Sequence, residues 1–271
     1  LTGVPLGPDD GRRLPGDGEP PALVGKQMND LFKGGLAFWF GGCLGSFANV
    51  LIHRLPKDES IAWPPSRCPH CGGAIAPFDN IPVLSWLLLR GRCRKCRGPI
   101  SARYPAVELT VAVLSLLLWR QWGATRPVWA ALCAVASCAL VAVTVIDWET
   151  FLIPDELSLG LLALGLLVAP LNPLFSDKPW WLAILLCARG AAVGFAICYV
   201  TAAAGERLFG QEAMGGGDIK LLAAVGAWSG GVGAFDCLMI GSLLGSAYGV
   251  TLLARGRVKR SDPIPFGPFL S

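Results

Sequence analysis

Apolar residues in this chain come in long unbroken blocks, not at the intervals of a soluble helix or strand. A bilayer is crossed by runs of about 17–25 such residues. Candidates fall at about 34–52, 105–120, 127–146, 156–171, 180–204, 218–229 and 232–254. The pattern predicts an all-α polytopic membrane protein with seven visible transmembrane helices. The run at 218–229 is short, and only a few Gly-rich residues part it from its neighbour. Ile81 to Leu89 is apolar too, but too short to span. Composition agrees: 53% hydrophobic residues, 15% charged and a mean hydropathy of +0.53 describe a chain dissolved largely in lipid. The bilayer is therefore the expected partner, and no nucleic acid is.

Residues 1–33 differ. They are Pro- and Gly-rich, mixed in charge and without apolar periodicity, which predicts a disordered amino-terminal extension. The first methionine is Met28, so residues 1–27 read as an upstream extension, and the lack of an apolar core before Met28 argues against a cleaved signal peptide. No internal repeat stands out.

Charge sets the orientation. The stretch 53–104 carries nine Lys or Arg against three acids, which places it in the cytoplasm. Counting crossings from there puts Gln121–Arg126 and Asn172–Pro179 outside. Asp147, Asp218 and the basic run Arg255–Arg260 return to the cytoplasmic side. The expected organisation is a first helix at 34–52, a small cytoplasmic domain at 53–104 and a transmembrane core at 105–271.

Ten cysteines divide into two groups. Six lie singly in apolar runs, where cysteine acts as a small hydrophobe. The other four form two Cys-x-x-Cys knuckles, Cys68/Cys71 and Cys93/Cys96, separated by 21 residues. Two thiolates from each of two tight turns suit a closed tetrahedral zinc site. Redox thiols are the alternative, and a reducing compartment argues against disulfides. His70 is a spare ligand, but four cysteines already complete the shell.

Asp147 and Asp218 each stand at the edge of an apolar segment, where an ionisable group is costly and marks a functional site. Two converging carboxyls can share a proton and activate water. Gly215, Gly216 and Gly217 precede Asp218 and are expected to let the backbone leave helical geometry, so that a substrate main chain can approach Asp218 closely. The bland reading of Asp218 is a solvated helix cap.

The residues also resemble a family. Gly45-Ser46-Phe47-Ala48-Asn49-Val50, Arg54-Leu55-Pro56, the knuckles flanking Asp79 to Trp86, and Tyr104-Pro105-Ala106-Val107-Glu108 are similar to the amino-terminal half of bacterial type IV prepilin leader peptidases. Asp147 to Asp155, Gly215-Gly216-Gly217-Asp218-Ile219-Lys220-Leu221 and Ile264-Pro265-Phe266-Gly267-Pro268-Phe269 resemble the second half. The resemblance implies a bifunctional enzyme of the bacterial inner membrane, a membrane aspartyl protease of the Gly-x-Gly-Asp type with Asp147 and Asp218 as its pair. Such enzymes cut the leader of type IV prepilins and type II secretion pseudopilins after a glycine at the cytoplasmic face. They then methylate the new amino terminus with S-adenosylmethionine. Members run on beyond the closing motif through a further apolar span, so an eighth helix is expected to be truncated here.

Supporting roles follow. Asp155 is expected to cap the next helix, and Lys220 to tune Asp218 or reach the interface. Glu108 is expected to act as an internal hydrogen-bond partner. No Gly-rich cofactor fingerprint appears, so Asn49, Arg54 and Glu108 stand only as cofactor candidates. Arg189, inside an apolar run, is unexplained by the motifs. The rival readings are a peptidase without methylation, an ion-coupled transporter, whose acids belong at the membrane midplane, and a zinc-bearing scaffold, which leaves the paired acids unexplained.

Overall fold

The computed structural model describes residues 21–210, 214–257, 259 and 264–271. Helix dominates: α1 (Pro21–Arg54), α2 (Leu84–Leu88), α3 (Arg103–Trp122), α4 (Pro127–Thr150), α5 (Asp155–Leu167), α6 (Trp180–Phe209), α7 (Gly216–Ala254) and α8 (Gly267–Leu270). Among the described residues there is no strand, only two isolated bridges. Punctuation in the sequence sets the ends. Pro127 occupies the first turn of α4, and Asp155 and Glu156 place negative charge at the start of α5. Gly210 closes α6 in the left-handed conformation.

Helices cover each of the seven apolar runs. Four of them, α1, α4, α6 and α7, are long and apolar enough to cross a membrane. The runs at 218–229 and 232–254 belong to α7, which is interrupted at Gly230 (φ 75°, ψ 176°). There the chain doubles back. Gly194 of α6 lies against both Leu222 and Ala234, on either side of the break. Tyr248 also packs on Trp148 of α4, 5.6 Å between ring centroids. A straight helix would carry Tyr248 about 45 Å from Asp218.

One boundary is corrected. α1 begins at Pro21, upstream of the expected start at residue 34, so residues 21–33 are not a disordered extension. They lack apolar periodicity, yet Pro21 suits a first helical turn and helix formers such as Ala22, Leu23, Lys26, Gln27 and Met28 follow it. The expectation of disorder over 1–20 lies outside the described residues.

Small residues bring the helices together. A Cβ on Gly45 would lie 2.6 Å from Glu108 Cα, and one on Gly41 2.8 Å from Ala112 Cα, so α1 and α3 touch along a Gly-x-x-x-Gly stripe. Gly190 and Gly194 do the same for α6 against Gly226 and Leu222. Ala48, Val111, Ala142, Val143, Ile146, Leu221 and Leu222 form the fully buried centre of the core.

Between α1 and α3 the chain is mostly irregular, and a repeat not anticipated from the sequence organises it. Arg67-Cys-x-x-Cys-x-Gly-x-Ile75 recurs as Arg92-Cys-x-x-Cys-x-Gly-x-Ile100. Each copy closes through the same bonds, Cys68 N–H to Gly73 O and Cys93 N–H to Gly98 O, and the same bridge, Arg67 to Ala74 and Arg92 to Pro99. Both copies need a left-handed residue after the second cysteine, Gly72 in one and Arg97 (φ 60°) in the other.

Candidate active site

Asp147 occupies the last turn of α4. Beyond it Phe151 adopts a left-handed conformation (φ 55°) that ends the helix, and Ile153 and Pro154 lead into α5. Asp218 lies in the first turn of α7. Both carboxyls are buried, with 5% and 8% of their residues' surface exposed. Gly217, beside Asp218, and Gly267, whose N–H binds Asp147, both pack against Ile153, which brings the two helix ends together. Asp147 Oδ2 accepts the backbone N–H of Gly267 at 2.9 Å, and Asp218 Oδ2 accepts that of Gly215 at 3.2 Å. Asp218 Oδ1 is buried and has no hydrogen-bond partner. Asp218 thus does cap α7, but it is not the solvated cap of the bland reading.

Ile153 joins the two halves. A Cβ added to Gly217 would meet Ile153 Cβ at 2.8 Å, and one added to Gly267 would meet Ile153 Cδ1 at 3.1 Å and Asp147 Oδ2 at 2.9 Å. Gly217 is therefore required by close packing on Ile153. Of the glycines expected to release the backbone from helical geometry, Gly215 is extended (φ −71°, ψ 152°), whereas Gly216 and Gly217 are already helical. Gly267 was quoted in a motif but given no role. A glycine between prolines in an apolar closing segment was the available signal.

Lys220 does not reach Asp218 by any hydrogen bond in the structure. Its Nζ donates to both oxygens of Asp155, at 2.6 and 2.8 Å, tying the first turns of α5 and α7 together. Arg103 at the start of α3 pairs with Glu149, two residues beyond Asp147, and stacks on Tyr104. Arg189 is exposed on α6.

A second site lies between the end of α1, the start of α3 and the knuckles: a cavity of about 840 Å³ whose wall includes Asn49, Arg54, Phe78, Trp86, Arg103 and Glu108. Its size matches small-molecule pockets. The buried Asn49 donates Nδ2 to Gly45 O and Tyr104 O, while its Oδ1 has no donor. Arg54 is held by Ser60 O and Pro64 O. Glu108 accepts the Val83 N–H at 2.6 Å, which fits the expected internal role. Val83 itself adopts φ 60°, costly for a β-branched residue. Neither Val83 nor Arg103 was singled out in the sequence.

The sulfurs of Cys68, Cys71, Cys93 and Cys96 all lie within 4.8 Å of one another, able to hold a metal ion. Cys68 and Cys96 Sγ are 3.8 Å apart, and a tetrahedral zinc with Zn–S of about 2.3 Å has sulfur edges of about 3.8 Å. The donor set fits. Backbone N–H groups of Cys96 and Lys95 pull the Cys93 thiol down to about 6, while desolvation and the neighbouring sulfurs push Cys96 up to about 11, so without a metal the cluster gives up one proton readily and holds another. His70 is turned away to Pro99 O at 3.1 Å, linking the two knuckles.

Two family models match: the bacterial peptidase A24 N-terminal domain over residues 39–122, and the type IV leader peptidase family over residues 133–250. A protein of Aeromonas hydrophila named prepilin leader peptidase/N-methyltransferase is 40% identical, with 87% of each chain covered. The chain belongs to the type IV leader peptidase family. Relatives of the same name in Burkholderia pseudomallei and Pectobacterium carotovorum are 38% and 37% identical, with 87% of this chain and 81% and 91% of theirs covered. No solved structure matches. Members of this family are enzymes, and the boundary between the two matched regions, near residues 122–133, follows the division between the cavity and the paired acids.

Proposed function

We propose that this enzyme cleaves the leader of type IV prepilins and pseudopilins after a glycine, and then methylates the new amino terminus with S-adenosylmethionine. Asp147 and Asp218 do the cutting. The observation that carries this is their convergence from α4 and α7 as buried carboxyls, with Asp218 Oδ1 one of four buried side-chain atoms left unpartnered among the described residues. That free oxygen is the place for a water or a substrate peptide group. One carboxyl acts as general base on the water and the other, protonated, as general acid on the scissile carbonyl. The Gly267 N–H fixes one oxygen of Asp147 and leaves the other to react.

The remaining helices complete a seven-span bundle in the inner membrane, with the residue 53–104 domain and both aspartates at the cytoplasmic face. Supporting this orientation, the ends of α1 and α4 and the starts of α3, α5 and α7 are joined there by Arg103–Glu149, Asn49–Tyr104 and Lys220–Asp155. Cys68, Cys71, Cys93 and Cys96 would hold one structural zinc, which folds the knuckles. An ion-coupled transporter is disfavoured by the same geometry, because the acids lie at helix ends and not at the midplane.

The test is mass spectrometry of a prepilin amino terminus after incubation with the purified protein and S-adenosylmethionine. Leader loss plus one methyl group is expected, with Asp147→Ala and Asp218→Ala both failing to cut. Leader loss alone would remove the methylation claim. An uncut substrate beside a folded, zinc-loaded enzyme would remove both.

A further inference from the structure

The short helix α2 turns its polar groups inward and its leucines outward. Ser85 Oγ donates to Phe78 O at 3.0 Å and accepts the Ile81 N–H at 3.1 Å, and Trp86 donates its Nε1–H to Ile100 O at 3.0 Å. Leu84, Leu87 and Leu88 share another face, at the i, i+3, i+4 spacing of one helix side, and are 48%, 58% and 74% exposed. That is the reverse of the arrangement water selects.

The segment also lies beside the membrane helices and not beyond their ends. A Cβ on Gly42 of α1 would lie 3.2 Å from Pro82 Cβ, and the Val83 N–H donates to Glu108 of α3 at 2.6 Å. Gly42 is about 18 Å along α1 from Arg54, and Glu108 about 8 Å along α3 from Arg103. The chain therefore dips alongside α1 and α3 to Pro82 and returns through α2 to the second knuckle. Backbone at such depth must find its partners within the protein. It does so: Ser85, Leu87, Leu89, Arg90 and Gly91 donate their N–H groups to carbonyls of residues 81–87, and Val83 donates to Glu108. Just past the helix, Arg90 and Arg92 are exposed and pair with no acid among the described residues. Cations there complement the phosphates of a lipid surface.

We propose that α2 is embedded in the leaflet on the side of the residue 53–104 domain, with Leu84, Leu87 and Leu88 in the hydrocarbon and Arg90 and Arg92 at the headgroup phosphates. The occupant of the leucine face is phospholipid. The inference rests on the reading that α1 and α3 both cross the bilayer. It gives the knuckle domain a third attachment to the membrane, between the two helices that flank it. The adjoining cavity is thereby held at the membrane surface instead of riding on a free loop.

The test places a fluorescent non-canonical residue, acridonylalanine, at Leu88 of the full chain in nanodiscs of phosphatidylethanolamine and phosphatidylglycerol. Quenching by nitroxides on the lipid acyl chains is compared with quenching by aqueous iodide. Leu117, exposed on α3, is the reference for a spanning residue, and the exposed Glu59 is the reference for water. At Leu88 the acyl nitroxides should quench as strongly as at Leu117. Iodide should quench about tenfold less than at Glu59, since hydrocarbon excludes an ion. A second probe at Leu87 should report the same. Iodide quenching equal to that at Glu59 would overturn the anchor, and so would a probe that neither quencher reaches, because a protein would then cover the face. A probe at Leu117 beyond the reach of the acyl nitroxides would instead remove the reading that α3 spans.

Discussion

Gly267 donates its backbone N–H to Oδ2 of Asp147 at 2.9 Å, across 120 positions of sequence. The bond requires a residue without a side chain, because a Cβ there would lie 2.9 Å from that same oxygen. Gly267→Ala must push α8 away or turn the carboxyl. Loss of alignment at a reacting group costs rate more than binding, and leader cleavage should fall in kcat by about 10²-fold with KM little changed. Steady-state kinetics on a prepilin checks this. An unaltered kcat would mean that the amide does not organise Asp147.

Gly217 makes a similar demand from the other side, against Ile153. Gly217→Ala should impair cleavage, since its Cβ would meet Ile153 Cβ at 2.8 Å. Ile153→Gly removes that Cβ, so the double variant should recover activity relative to Gly217→Ala alone. A coupling of about 1–2 kcal/mol is expected from the cycle of transition-state energies. Strict additivity would show that the two residues do not share one packing constraint.

The sequence carried much of this site and stopped at identifiable places. Acids at the edges of apolar runs are legible because their cost in lipid is a local property, and the knuckles are legible because ligand spacing is. What joins them is not local. The approach of α8 to Asp147, the wedge at Ile153 and the Arg103–Glu149 pair depend on packing between elements far apart in the chain. The amino-terminal boundary was misplaced for a different reason: a polar helix extending from a span has no apolar period to betray it, only propensity and Pro21. The reversal in α7 was half visible, as two apolar runs separated by glycines, although its backbone sign is set at Gly230 alone.

Lys220 and Asp155 form a partly exposed pair, with 38% and 56% of their side chains accessible. Pairs of this kind contribute about 0.2–1 kcal/mol. Lys220→Ala and Asp155→Ala should therefore each leave leader cleavage within a few-fold of wild type, and the exchanged pair Asp155→Lys with Lys220→Asp should recover what either loses. A large loss of kcat in Lys220→Ala would instead place its ammonium at the chemistry.

Asp79 accepts from Arg94 Nε and Nη2, a two-pronged contact, and the Arg94 hydrogen bonds hold its carboxyl below the usual carboxylate range. A carboxyl whose folded value lies below its unfolded value stabilises the fold above the unfolded value, about 3.9, and loses that contribution as pH falls through the folded one. Asp79→Asn should therefore melt below wild type at pH 7, and the gap should close as pH is lowered beneath about 4. Thermal unfolding at matched pH values measures it. A gap that widens in acid would refute the assignment.

Metal removal should separate the two activities. The walls of the cavity come in large part from residues 66–101, whose two knuckles are held to each other by His70 and by the four sulfurs. Without zinc a domain this small has little core to keep it folded. Asp147 and Asp218 are positioned from elsewhere, by Gly267, Gly215 and Ile153, and a tie towards the knuckle side runs from Glu149 to Arg103. Chelation, or Cys93→Ser, should abolish methylation while cleavage keeps most of its rate. Parallel loss of both would show that the knuckle domain also shapes the peptidase cleft, and the Arg103–Glu149 pair would then be the first contact to test as the route.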